Sequence, residues 1–151
     1  MRIANKRFTL ALLATLVGVT TVWASSASFR IRGEGIDLGK MEEVVKDGEP
    51  LPPRCQAKAE VGKPFTLVAH GIVLPRGGAE QPGEPDCGAW LFDDAAFKLL
   101  PHDKKQADKS AIVIRLQPTA VGRTRIRFVG RILGYDRTFD VLLDVAPSKK
   151  E

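Results

Sequence analysis

The chain has 151 residues, 23 Lys and Arg against 18 Asp and Glu, a net charge of +5 and two His. Arg2, Lys6 and Arg7 supply three of those charges, which leaves +2 on residues 28–151. Such a balance is a weak basis for nucleic-acid or anionic-membrane binding, and two histidines leave little room for metal or acid–base chemistry.

The three cations precede an apolar run, Phe8–Val22, and then the small residues WASSAS. Val22 and Ala24 stand third and first before one cut; Ser25 and Ala27 do so before the next. This is the layout of a secretory signal peptide, residues 1–27. As an uncleaved anchor the run of 15 residues is short against the roughly 20 that span a bilayer. The expectation is an extracytoplasmic protein, periplasmic or secreted, not stably inserted in a membrane once the leader is removed. Cys55 and Cys87, the two cysteines, then read as a disulfide.

Residues 28–54 read as an extended arm and a Pro-rich linker, docked on the domain or on a partner. Phe29 and Ile31 alternate, KMEEVVKDG (40–48) suggests one or two helical turns ended by Gly48, and EPLPP (49–53) carries three prolines against regular structure. From Gln56 onward strands and turns succeed one another. Gln56–Val61 is a first short strand, and Phe65–Val73 alternates with Phe65, Leu67 and Ala69 on one face. Leu74–Gly88 is a long loop, Ala89–Phe92 a strand, and Ala95–Leu100 another short strand or a turn of helix. After the polar loop 102–110 comes Ala111–Gln117, with Ile112, Ile114 and Leu116 inward.

Arg123–Leu133 and Asp136–Val145 read as a hairpin turning at Gly134-Tyr135. That register sets Ile126 opposite Leu143, Phe128 opposite Val141 and Gly130 opposite Phe139 on an apolar face. It sets Arg125 opposite Asp144 on the outer face, and Arg127 diagonal to Asp140 and Asp144. Residues 147–151 form a frayed tail. About seven strands predict an all-β, antiparallel β-sandwich over 55–146.

EVGKPFTL (60–67), Trp90, LQPTAVGRTRIRF (116–128) and TFDVLLDV (138–145) together resemble a bacterial immunoglobulin-like domain. The resemblance covers about residues 56–146 and implies an immunoglobulin-like sandwich. One departure stands out: Cys55 precedes the first strand of the resemblance and Cys87 precedes the Trp90 strand, so their bond would tie linker and loop to an edge and not cross the core.

No residue pattern points to catalysis, and the chain reads as a non-enzyme with no cofactor and no metal. His70, Cys87 and His102 are the right residue types for a cupredoxin copper site, but Cys87 and His102 are fifteen apart and no Met follows. Asp93 and Asp94, adjacent, make a poor acid–base pair. Gly33, Gly35 and Gly39 lack the spacing of a phosphate loop. Arg123, Arg125, Arg127 and Arg131, with Arg115 beside them, read as a salt-bridged solvent face. The expected activity is protein binding, as an accessory subunit of an envelope or extracytoplasmic assembly. The residues to carry it are Phe29, Arg30, Ile31 and Arg32 of the arm, adding a strand to a partner, and Arg76, Glu80 and Glu84 of the long loop. The alternatives are a chagasin-like peptidase inhibitor, although its NPTTG and GxGG motifs are missing, and a carbohydrate- or lipid-binding sandwich with Tyr135 exposed at a hairpin tip.

Overall fold

A computed structural model describes residues 24–102 and 108–149. The apolar run 8–22, expected to be part of a signal peptide, lies outside them. Among the described residues ten strands form two sheets: β1 (Ala24–Glu34), β2 (Glu42–Lys46), β3 (Glu49–Glu60), β4 (Phe65–Pro75), β5 (Gln81–Pro82), β6 (Cys87–Leu91), β7 (Phe97–Leu100), β8 (Ala111–Pro118), β9 (Gly122–Ile132) and β10 (Tyr135–Ala146). One sheet runs β1-β4-β8-β7, with β5 on β4; the other runs β2-β3-β10-β9-β6. All pairs are antiparallel except β3 with β10, which is parallel. The all-β sandwich is therefore as expected, with one parallel pair that alternation alone does not reveal.

Alternation decides which side of each strand is buried. Phe65, Leu67 and Ala69 of β4, Ile114 and Leu116 of β8, Ile126 and Phe128 of β9, and Val141, Leu143 and Val145 of β10 fill the space between the sheets. Phe128 is fully buried, with the Phe29 ring at 4.8 Å, edge-on, and the Trp90 ring at 4.9 Å. A Cβ at Gly130 would lie 2.7 Å from the Phe29 ring and 2.8 Å from that of Phe128. Gly130 is therefore where β9 makes room for the aromatic cluster.

The arm is docked on the domain itself, as a full strand. Residues 26–34 pair continuously with Thr66–Leu74 of β4, because Ala27, Phe29 and Ile31 offer a period-two apolar face that the core accepts. Phe29 is 4% exposed; it anchors the chain's own core. The boundary at 55 also falls inside a strand, since β3 runs from Glu49 to Glu60. Removing residues 28–40 would take out a core strand and would not simply delete a tether.

Segment 40–48 is strand and turn, not helix. Val44 and Val45 are β-branched and favour a strand, and Asp47-Gly48 turns with φ of 53° and 80°, the left-handed pair a type I′ hairpin requires. The prolines of 49–53 are tolerated because this half of β3 pairs with β2 on one side, while pairing with β10 begins at Arg54.

The last hairpin keeps its expected faces but shifts register by two residues. Its turn is Leu133-Gly134, with φ of 48° and 77°, so Ile126 pairs with Val141, Phe128 with Phe139, Gly130 with Arg137, and Arg127 with Asp140. A two-residue shift leaves every side chain on its own face, so apolar patterning cannot distinguish the two registers. Turn chemistry can, because the second turn position goes to glycine. Leu133 pays about 1–2 kcal/mol for its left-handed backbone, with a side chain 47% exposed. Leu133→Asn is expected to stabilise the fold by roughly 0.5–1 kcal/mol, measured as a higher urea midpoint with an unchanged slope.

Candidate functional site

The β2–β3 hairpin is built differently from the rest of the sandwich. β2 pairs with β3 alone, through Val44 opposite Leu51, Val45 opposite Pro50 and Lys46 opposite Glu49. Val45 is 69% exposed and Leu51 39%. Glu42, Glu43, Asp47 and Glu49 surround them, all exposed, with Lys46 among them. A two-stranded ribbon is marginally stable by itself; here it continues a strand whose second half, Arg54–Glu60, is locked to β10. The result is an acidic ribbon with two exposed apolar side chains, an unpaired outer edge and a rigid base.

The expected arm and loop residues separate by face. Arg30 and Arg32 point outward, whereas Phe29 is in the core and Ile31 packs against it. Arg30 donates to Glu80 at 2.7–2.8 Å, so arm and loop do meet. His70 and Asp108 lie close by on the same face, 3.9 Å apart. Two hydrogen bonds from Ser110, side chain and backbone, hold the Asp108 carboxyl below the usual carboxylate range. The long loop folds back onto its sheet: β5 pairs with Ile72 and Val73, and the Gly83 amide donates to the Gly71 carbonyl. Arg76 and Glu84 are exposed.

Two of the four arginines of β9 are ion-paired. Arg127 forms a two-pronged pair with Asp140 at 2.7 and 2.8 Å, and Asp140 is 7% exposed. Arg131 forms a similar, exposed pair with Asp136 at 2.7 and 3.0 Å. Arg123, and not Arg125, stands opposite Asp144, while Arg125 faces Leu142. Beside them a cleft of ≈ 630 Å³ is lined by Asp37, Gln56, Lys58, Arg123, Leu142 and Asp144. Both charge signs occur in it, as a solvated face requires.

The expected disulfide is not formed: both thiols are free. Cys55 sits on β3 and Cys87 on β6, with β10 and β9 between them. Three strand spacings put them roughly 14 Å apart across the sheet, against a limit of about 7 Å between bonded Cα atoms. Cys55 pairs with Val141, which pairs with Ile126, whereas Cys87 pairs with Arg131. The two are thus also offset along β9, and on opposite faces. Cys55 is buried and Cys87 exposed, and burial pushes the Cys55 thiol up.

His70 lies beside the outward Arg30 on one sheet and Cys87 beside the outward Arg131 on the other, so they face away from each other and the copper set does not converge. Among the described residues no group of three His, Cys, Asp or Glu gathers as metal ligands would. Asp93 ends a strand as expected: its Oδ1 accepts the Ala95 amide, and its carbonyl those of Ala96 and Phe97. Trp90 lies on the edge strand β6, not a central one, and its indole N–H donates to the Ile112 carbonyl at 3.1 Å, linking the two sheets. Tyr135, 39% exposed, carries the Arg137 guanidinium 5.1 Å from its ring centre.

The hairpin was the element that sequence reasoning missed. Its signal was Asp47-Gly48 between Val44-Val45 and Leu51, masked by the prolines on either side of Leu51.

No family model matches the chain, and no curated protein matches it. Among solved structures it is similar to a chimeric titin Z1Z2 functionalized with a KLER exogenous peptide from decorin. Identity is 10% and the TM-score 0.39, over 76% of this chain and 100% of that one. At that score the likeness adds nothing to what the two sheets already show.

In the native protein one thiol, Cys87, is expected to react promptly with a maleimide, and Cys55 only after unfolding. Intact mass before and after denaturation checks this. A native protein two mass units light, with no reactive thiol, would restore the disulfide.

Proposed function

We propose that the protein is an exported, non-enzymatic, immunoglobulin-like binding domain, an accessory subunit of an envelope or extracytoplasmic assembly. The observation that carries the reading is the projecting β2–β3 hairpin. β1 has turned its apolar face into the core and pairs with β4 along one edge, leaving only its outer edge open. The hairpin retains both an unpaired edge along β2 and exposed apolar side chains, Val45 and Leu51. Edge strands with open hydrogen-bonding groups recruit further strands readily. Its acids suit a partner whose docking groove is apolar with a basic rim. Export is supported by the charged start, the apolar run and the small residues that follow it.

Val45→Asp combined with Leu51→Asp tests the reading. Both side chains are exposed, so the thermal midpoint is expected to stay within about 2 °C of the parent. In gentle purification of the tagged protein from the cell envelope, the stable partner is expected to fall at least tenfold. A partner retained at parental yield would overturn the hairpin assignment. A parent that purifies alone, at its own mass, would overturn the accessory-subunit reading.

A further inference from the structure

We infer that export processing cuts the Ala24–Ser25 bond and spares the Ala27–Ser28 bond, so that the mature chain begins at Ser25. This rests on the export half of the proposed function and is independent of how the protein binds its partner.

Both bonds satisfy the small-residue requirement at the first and third positions before the cut. The fold distinguishes them. Ala27 is 1% exposed and packs in the cluster that holds Phe29, Ala69, Phe128, Ile132 and Phe139. Its backbone pairs with Val73, and its carbonyl accepts a hydrogen bond from Arg137 Nε at 3.1 Å. Hydrolysis after Ala27 would remove all of this. It would also place a new α-ammonium on Ser28, half-buried and paired with Ile72 between two core-facing residues. A charge there is costly, and Arg137 loses its acceptor.

Hydrolysis after Ala24 disturbs none of these contacts. It consumes one water, leaves a carboxylate on Ala24 and an α-ammonium on Ser25. The regular pairing of β1 with β4 begins at Ser26, after an irregularity between Ala24 and Ser26. Ser25 falls in that irregularity, at the margin of the sheet.

The test is to express the full chain with its own leader in a host that exports it, purify the extracytoplasmic product, and determine its N-terminus by intact mass and terminal sequencing. A single start at Ser25 is expected. A start at Ser28 would overturn the inference and leave export standing; a full-length product would overturn both. As a second measurement, chains beginning at Ser25 and at Ser28 are compared by thermal unfolding. The shorter chain is expected to melt lower by roughly 5 °C or more, and equal midpoints would overturn the argument.

Discussion

The fold depends on how Phe128 is enclosed. Its ring lies in the middle of the sandwich, on β9 of one sheet. It meets Phe29 from β1 of the opposite sheet and Trp90 from the edge strand of its own. Truncating a fully buried phenylalanine costs about 3–5 kcal/mol, a large share of the 5–15 kcal/mol that holds a domain together. Two glycines keep the site open. A Cβ at Gly88 would lie 3.0 Å from the ring, and one at Gly130 2.8 Å. Through this one ring the N-terminal strand, the Cys87 edge and the C-terminal hairpin become a single packing problem. Ala27 and Phe29 of the N-terminal strand therefore belong to the core.

That constraint redistributes what the surface can do. With β1 committed to the core, its outward residues Arg30 and Arg32 lie over a folded sheet, and Arg30 is held by Glu80. The arginines of β9 are partly neutralised in the same way, by Asp140 and Asp136. Exposed pairs such as Arg131–Asp136 contribute little to stability; the half-buried Arg127–Asp140 pair helps hold β9 and β10 in register. The β2–β3 ribbon combines an open edge, the exposed Val45 and Leu51 and a rigid root, with β2 paired to β3 alone. Recognition elements carried on rigid sandwiches are commonly of this kind.

Much of the sandwich was legible in the residues, and the reasons for the remainder are specific. Strand faces followed from period-two alternation: every inward residue assigned to the Phe65 strand and to the last hairpin is inward. Register was not legible from apolar patterning, because a shift by two keeps every face; it depended on recognising that Leu133-Gly134, and not Gly134-Tyr135, makes the turn. The hairpin at 42–54 was hidden by prolines, which argue against a central strand but are allowed where a strand is bonded on one side. The cysteines misled because a pair in a chain expected to be exported implies proximity, while topology places β10 and β9 between them. Of the expected binding residues, the structure brings Arg30 and Glu80 together, withdraws Phe29 into the core, and leaves Arg76 and Glu84 exposed.

The central claim is that the N-terminal segment is a constituent strand of the sandwich while the 42–54 ribbon is an appendage. Hydrogen exchange measured by mass spectrometry on the mature protein tests it directly. Those amides of residues 26–34 that bond to β4 are expected to be protected as strongly as the amides of β4 and β10, opening only with global unfolding, and those of residues 43–51 are expected to exchange orders of magnitude faster. Rapid exchange across residues 26–34, with β4 and β10 still protected, would contradict the account.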